Sequence, residues 1–325
     1  MKEKRQPSYD AEADADTLSF GEPATTRASL VDAAGWRAAE AILAGELAKL
    51  SFDLGRLAER MRMTGPGALQ RLALEEAVAL SWWTGDRIGA DRLALWTSYR
   101  IGAAEEDGGG LIRTAWAARR LGAAVAQGRV LAETLAAALG EEGRADPGLI
   151  AEAAAELDPL AGCTAVTQGA AVFHLWRSLD ERPDHLRGLE GAVLGARIAG
   201  QAGLPFLPLA LTGVGALTAN GSLEARLAGW INGAHRAVLA ALMKLDRLAA
   251  WRARAGAETA DLSGRTTARL IAALAAHPML AAPQAEAESD ASRAAVQRNL
   301  DVLRERRLIR EVTGQGRFRV WAAEV

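Results

Sequence analysis

Cysteine is nearly absent: Cys163 is the only one in 325 residues. A single thiol excludes an intramolecular disulfide framework and a cysteine-rich zinc site, and it fits a reducing compartment, so a cytoplasmic location is expected. Aromatics are only 5% of the chain. The core must therefore be assembled from small aliphatic side chains, which let helices approach closely but bury little area each. Lysine is scarce too. Lys2, Lys4, Lys49 and Lys244 are the only ones, so positive charge is carried by arginine. Histidine occurs at 174, 185, 235 and 277, with no two at metal-ligand spacing and none near the cysteine in sequence, so no metal and no cofactor is expected. The N-terminal MKEKRQPSYDAEADAD lacks an apolar run and is not read as a signal peptide. The uncharged stretch from Ile198 to Leu223 is long enough to span a bilayer. Pro205, Pro208, Asn220 and several glycines interrupt it, so it is expected as a broken pair of buried core helices, with no membrane partner.

What the chain does have is enough apolar residue, 50% against 24% charged, for about two packed domains. Residues 1–24 are polar and acidic and are expected to be a disordered tail. From Asp32 to Met61, the apolar positions Trp36, Leu43, Leu47, Leu50, Leu54, Leu57 and Met61 recur at helical steps, which predicts one long amphipathic helix. Further helices are predicted over Ala68 to Trp83, from Asp91, over Leu111 to Leu139 with a break near Gly128, over Thr164 to Leu179, over Leu186 to Ala202, and over Leu223 to Arg254. Glu105 to Gly110 is read as a loop and Glu141 to Gly148 as a hydrophilic linker. The fold class expected is all-α: a multi-helix domain over 25–258 and a smaller, different unit over 259–325.

That last unit changes pattern. A short helix, Thr266 to Ala276, stops at Pro278. Pro283 can open a second as its first residue. Ser292 is placed to cap a third, Arg293 to Arg307, whose buried stripe is Val296, Leu300 and Leu303. Ile309 to Thr313 and Arg317 to Trp321 alternate like strands around Gly314-Gln315-Gly316. Three helices and a hairpin in this order are those of a winged helix-turn-helix. Net charge is −2 overall, yet Asp290 to Arg319 holds eight arginines against four acids. A recognition helix meets base edges with its N-terminal residues, which predicts that Ser292, Arg293, Ala294, Gln297 and Arg298 face DNA, because arginine pairs with guanine and glutamine with adenine. Gln315, Arg317 and Arg319 at the hairpin are expected to reach the backbone or minor groove. The acidic second helix, APQAEAES, opposes this.

The segment SRAAVQRNLDVLRERRLIREVTGQGRFRVW resembles the helix-turn-helix ending of a little-characterised bacterial family that joins an N-terminal domain of unknown function to a C-terminal DNA-binding domain. Many Fic-domain proteins end similarly. EAVALSWWTGDRIGADRLAL (Glu76 to Leu95) and, more loosely, Gly188 to Leu211 are similar to segments of both groups. The resemblance implies a degenerate Fic-like helical scaffold with a DNA-binding tail. The region RPDHLRGLEGAVLGARIAG keeps His185, Gly188, Gly191 and Arg197. It lacks the His-Pro-Phe lead, the Gly-Asn-Gly run and the arginine directly after it, so nucleotide transfer is not carried over and no catalytic residue is assigned.

The function expected is duplex-DNA binding by a transcriptional regulator acting as a homodimer, since paired half-sites raise the specificity of a small module. The alternatives are a Fic-type nucleotidyltransferase with a divergent loop around His185, and a protein-interaction module. The remaining conspicuous residues read as structure. His174 should pack in a helix, His235 should lie at a surface or interface, and His277 should end a helix. Trp82 and Trp83 should pack near a turn, Glu75 and Glu76 should be solvated, and Cys163 should be a buried, inert thiol. The spacing of Gly188, Gly191 and Gly195 suits close helix–helix contact better than phosphate binding.

Overall fold

The computed structural model describes residues 30–65, 67–101, 108–123, 131–139, 146–179, 181–200, 203–314 and 318–325. The expected tail, 1–24, lies outside them. The chain is mostly helical. In order the elements are α1 (Ala33–Ile42), α2 (Ala44–Thr64), α3 (Gly67–Thr84), α4 (Ala90–Tyr99), α5 (Gly108–Leu121), α6 (Leu131–Leu139), α7 (Pro147–Leu157), α8 (Ala165–Leu179), α9 (Asp184–Ile198) and α10 (Leu223–Glu258). There follow α11 (Thr266–Ala276), β1 (Leu280–Ala281), α12 (Ala282–Ser289), α13 (Arg293–Glu305), β2 (Ile309–Glu311) and β3 (Val320–Ala323).

Local chemistry explains most boundaries. Asp32, Asp146 and Ser222 each accept a backbone N–H of the helix they precede (Gly35, Gly148 and Ala225), satisfying donors that a helix start leaves open. The single long helix expected from Asp32 to Met61 is two helices, broken at Leu43. The break lets α1 pack on α10 and on the 3-10 turn Asp158–Leu160, while α2 runs along α10. The linker reading missed α7, which Asp146 caps and Pro147 opens. Its buried residues are Ala153 and Leu157, too faint an apolar period to stand out. Ile198 to Leu223 is also not the expected helix pair. α9 ends at Ile198, and the described residues beyond it, from 203 to 222, are irregular turns whose Leu204, Phe206, Leu207, Leu209, Ala210 and Leu217 are buried. No helix among the described residues is long and apolar enough to cross a membrane.

Two apolar cores result. The larger joins α1 to α9 with the first two-thirds of α10. Its tightest crossing is α8 on α9, where a Cβ on Gly169 would lie 2.5 Å from the Gly195 carbonyl and one on Gly195 would lie 2.7 Å from the Gly169 carbonyl. Glycine here shortens the interhelical distance rather than supplying an unusual backbone angle. The second core comprises Leu270, Ile271, Leu274, Leu280, Val296, Leu300, Leu303, Leu308, Ile309 and Trp321, together with Leu248, Trp251 and Ala255 from the end of α10. The helix that closes the large core thus also helps to build the small one.

Several polar contacts hold the two cores against each other. Arg71 of α3 donates to the carbonyls of Leu274, Ala275 and His277 at the end of α11. Burial pushes its pKa down to about 10, which leaves it charged and complementary to the negative end of that helix. A Cβ on Gly67 would stand 2.1 Å from the Ala276 carbonyl, so only glycine lets α3 start this close to α11. Tyr99 donates to Gln284 at 2.6 Å and accepts the N–H of Ala281 at 2.8 Å.

Glu76, expected in solvent, is instead fully buried. Its Oε1 accepts the N–H groups of Leu209 and Ala210, each at 2.8 Å, pinning the irregular segment onto α3. Its Oε2 has no partner, and burial pushes its pKa up to about 7. The folded protein therefore holds this proton more tightly than the unfolded chain does. No penalty exists below the unfolded value near 4.5, and stability falls as pH rises from there through about 7. Glu76→Gln keeps the acceptor and removes the charge. We expect thermal denaturation to show a flatter pH dependence across this window, with the variant more stable than wild type at pH 8, by on the order of 3 kcal/mol at most. Parallel pH profiles would contradict a buried, titrating Glu76.

Candidate nucleic-acid interface

The three strands form one antiparallel sheet in the order β1-β3-β2. Leu280 pairs with Trp321, and Ile309, Arg310 and Glu311 pair with Ala323, Ala322 and Trp321. The two-residue β1 was not foreseen, because a strand that short carries no readable alternation. α13 lies against this sheet and against α11 and α12 through Val296, Leu300 and Leu303, the stripe expected from spacing. Ser292 accepts the N–H of Ala295 at 3.4 Å and starts the helix in an extended conformation. Asn299 and Thr267, joined at 2.5 Å, tie the helix to α11 from its buried side.

Burying that stripe leaves the opposite face of α13 open. Ser292, Arg293, Ala294 and Arg298 are exposed, as are Arg304 and Arg307 farther along. Neither Arg293 nor Arg298 has an ion-pair or hydrogen-bond partner among the described residues. Gln297 is half-buried, and its amide donates to both Asp301 oxygens at 3.1 Å, so it meets a ligand only if that pair opens. Arg319, expected to reach the backbone or minor groove, is engaged within the hairpin. It pairs with Glu311 at 2.7 Å and lies over the Trp321 ring at 5.1 Å, stiffening the hairpin. Gln315 and Arg317 lie outside the described residues.

Other arginines of the basic segment are structural. Arg306 forks onto Asp261 at 2.6 and 2.7 Å and also reaches the Glu258 carbonyl, closing the end of α10. Arg310 forks onto Asp91 at 2.7 and 2.9 Å, in the first turn of α4. These are strong, directional contacts that hold each guanidinium in place. Two of the acids flanking and within α12 are likewise occupied: Glu288 contacts His277 at 2.8 Å and Asp290 contacts Arg269 at 3.3 Å. The acidity that seemed to oppose a phosphate partner is thus partly neutralised from within.

One residue was missed by sequence reasoning. Phe318 is 79% exposed at the hairpin, with φ +60, and its carbonyl is held by the Thr313 hydroxyl at 3.3 Å. A bulky side chain in the left-handed region is costly and is kept only where the surroundings impose it. The available signal was a phenylalanine between two arginines, two residues after a glycine of the expected turn, a place where core packing has no use for an aromatic.

No protein-family model matches this chain, and no curated protein does. The reading of the site therefore rests on its own geometry.

Elsewhere the candidates resolve into structure. His185 is exposed in the first turn of α9, and Gly188, Gly191 and Gly195 lie inside that helix, where their N–H groups are committed to it. These residues form no anion-holding loop. Arg197 is buried, bonded to the Ala123 carbonyl. His174 packs against Trp36 and Phe173, and burial pushes its pKa down to about 4, so it is neutral. His235 contacts Asp53 at 2.7 Å, joining α10 to α2. Cys163 is buried, which pushes its thiol pKa up and its reactivity down. Trp83 packs on Phe173 as expected, whereas Trp82 is exposed. Among the described residues no group of three His, Cys, Asp or Glu side chains is placed to hold a metal ion. A cleft of about 600 Å³ between the two cores is lined by Arg71, Lys244 and Arg310. Each of these is already satisfied, by carbonyls, Glu75 and Asp91 respectively, so none of these three cations is left unpaired for an anionic ligand.

Proposed function

We propose that the C-terminal unit, 259–325, is a winged helix-turn-helix that binds duplex DNA, and that the chain is a transcriptional regulator whose helical body carries and positions this reader. The observation that carries the reading is the exposed N-terminal face of α13. It holds Arg293 and Arg298 without protein partners among the described residues, on a helix whose other side is fully committed to a three-helix, three-strand core. The element order α11–β1–α12–α13–β2–β3 supports the same reading. Arginine forks suit guanine edges and phosphates, and the cap leaves small residues, Ser292 and Ala294, where the helix would meet the groove wall. The helical body is read as a degenerate Fic-like scaffold on the resemblance of its segments.

The test is selection of duplex fragments by the purified full-length chain, followed by titration of the enriched sequence at several salt concentrations. A shared motif is expected, with log affinity falling linearly against log salt as counterions are released. Absence of any salt-dependent shift would remove the reading in favour of a protein-binding module. In the DNA-bound protein, Phe318 would sit where the wing meets the minor groove, its ring against the sugar edge. Phe318→Ala is expected to lower affinity about tenfold on every sequence alike, through loss of one apolar groove contact. Because the ring is exposed, the melting temperature should not move; a fall in stability instead of affinity would place Phe318 in the fold rather than the interface.

A further inference from the structure

Gln297 stands on α13 one turn after Arg293 and beside Arg298, the two arginines that carry the DNA reading. Glutamine in such a place suits adenine, which it reads with both ends of its amide: Oε1 accepts from N6 and Nε2 donates to N7. Here the Nε2 end is committed. It lies 3.1 Å from each carboxylate oxygen of Asp301, one turn farther along the same helix. A side chain that reaches the next turn lies along the helix instead of extending from it, and Gln297 is accordingly half-buried. Asp301 is held in turn by cations. Arg304 approaches it at 3.7 Å and Arg319 of the hairpin at 3.9 Å. Arg319 is itself anchored by Glu311 at 2.7 Å and by the Trp321 ring. The carboxylate therefore joins the helix to the hairpin, and as a charged acceptor it makes the stronger kind of hydrogen bond to Gln297.

We propose that Asp301 is a specificity-determining residue of the reader: it withholds the Gln297 amide from the bases, so that the protein distinguishes sites at guanine, through Arg293 and Arg298, and is indifferent to the base facing Gln297. The proposal rests on the DNA-binding reading and deepens it. The balance follows from two interactions of like size. A hydrogen bond to a charged group contributes about as much as a bidentate base contact discriminates. Exchanging one for the other gains nothing. It would also leave the Asp301 carboxylate without its amide donor, in a groove walled by phosphates. Adenine therefore gives Gln297 no net drive to turn outward while Asp301 is in place.

Duplexes are selected from a random pool by the full-length wild type and by the Gln297→Ala, Asp301→Ala and doubly substituted variants. Alanine suits a helix at 301, and Arg319 keeps its contact with Glu311, so the variants should fold, which circular dichroism checks. Wild type and Gln297→Ala should enrich the same guanine-containing motif with equal affinity. Asp301→Ala should add one position at which adenine is preferred, by about fivefold to 100-fold over the other bases, and the double variant should lose that preference. Removing the carboxylate also strengthens binding to every sequence. The two proteins that lack Asp301 share that gain, so comparing them isolates the amide. An adenine position in the wild-type motif that Gln297→Ala abolishes would overturn the proposal, as would an Asp301→Ala motif identical to that of wild type. Either result leaves DNA binding standing. Selection of no duplex by any of these proteins would overturn the DNA reading, and this inference with it.

Discussion

Reversing the charge of both Arg293 and Arg298 to glutamate is expected to reduce DNA affinity between about 30-fold and 10,000-fold, because each guanidinium lost from a base edge costs about 1–3 kcal/mol. The reversed charges add repulsion from phosphate, so the loss should be largest at low salt. Both side chains are exposed and lack partners among the described residues, so the double variant should fold as wild type does, and circular dichroism can check this. Alanine at either position alone should weaken one preferred site more than others. Arg306→Ala is the informative contrast. That arginine is held by Asp261 and the Glu258 carbonyl. Its loss should lower stability with little effect on affinity per folded molecule. Retained affinity in the double-glutamate protein, measured by anisotropy, would end the assignment of α13 as a reader.

Trp251→Ala should be the most damaging single truncation at the junction of the two cores, costing about 3–5 kcal/mol. The ring is 2% exposed within the second core, yet it comes from a helix that mostly belongs to the first. Its Nε1 donates to the Leu308 carbonyl at 2.8 Å, in the turn between α13 and β2. Truncation opens a large cavity and removes one of that carbonyl's two donors, leaving the Glu324 N–H at 3.0 Å. Trp251→Phe restores most of the volume and loses only the indole hydrogen bond, and should cost about 0.5–1.5 kcal/mol. Urea denaturation measures both. A change below about 1 kcal/mol for the alanine variant would show that the end of α10 is not part of the C-terminal core.

The C-terminal unit was the more legible part of the sequence. Its helix starts carry chemical marks, Ser292 and Pro283, and Val296, Leu300 and Leu303 differ sharply in size from the charged residues between them. The body was harder to read. α7 buries only Ala153 and Leu157, and alanine is equally at home outside, so burial leaves little imprint on the pattern. The break at Leu43 carries no proline or cap to announce it. Glu76 could not be placed from sequence, because what draws it inside is a pair of backbone N–H groups more than 130 residues away. The same distance effect governs the interface. The positions of Arg293 and Arg298 follow from helical phase alone. Which arginines are already spent on Asp91, Asp261 or Glu311 depends on partners contributed by other elements.

Because α10 runs without interruption from one core into the other, the angular setting of the C-terminal unit is a matter of phase. Each residue added between Leu245 and Leu248 would advance everything beyond it by about 100° around the axis and 1.5 Å along it. The contacts from Arg71 and Tyr99 could then no longer meet their acceptors. Natural length variation should therefore be absent from that short interval and tolerated in the turns on either side of the helix.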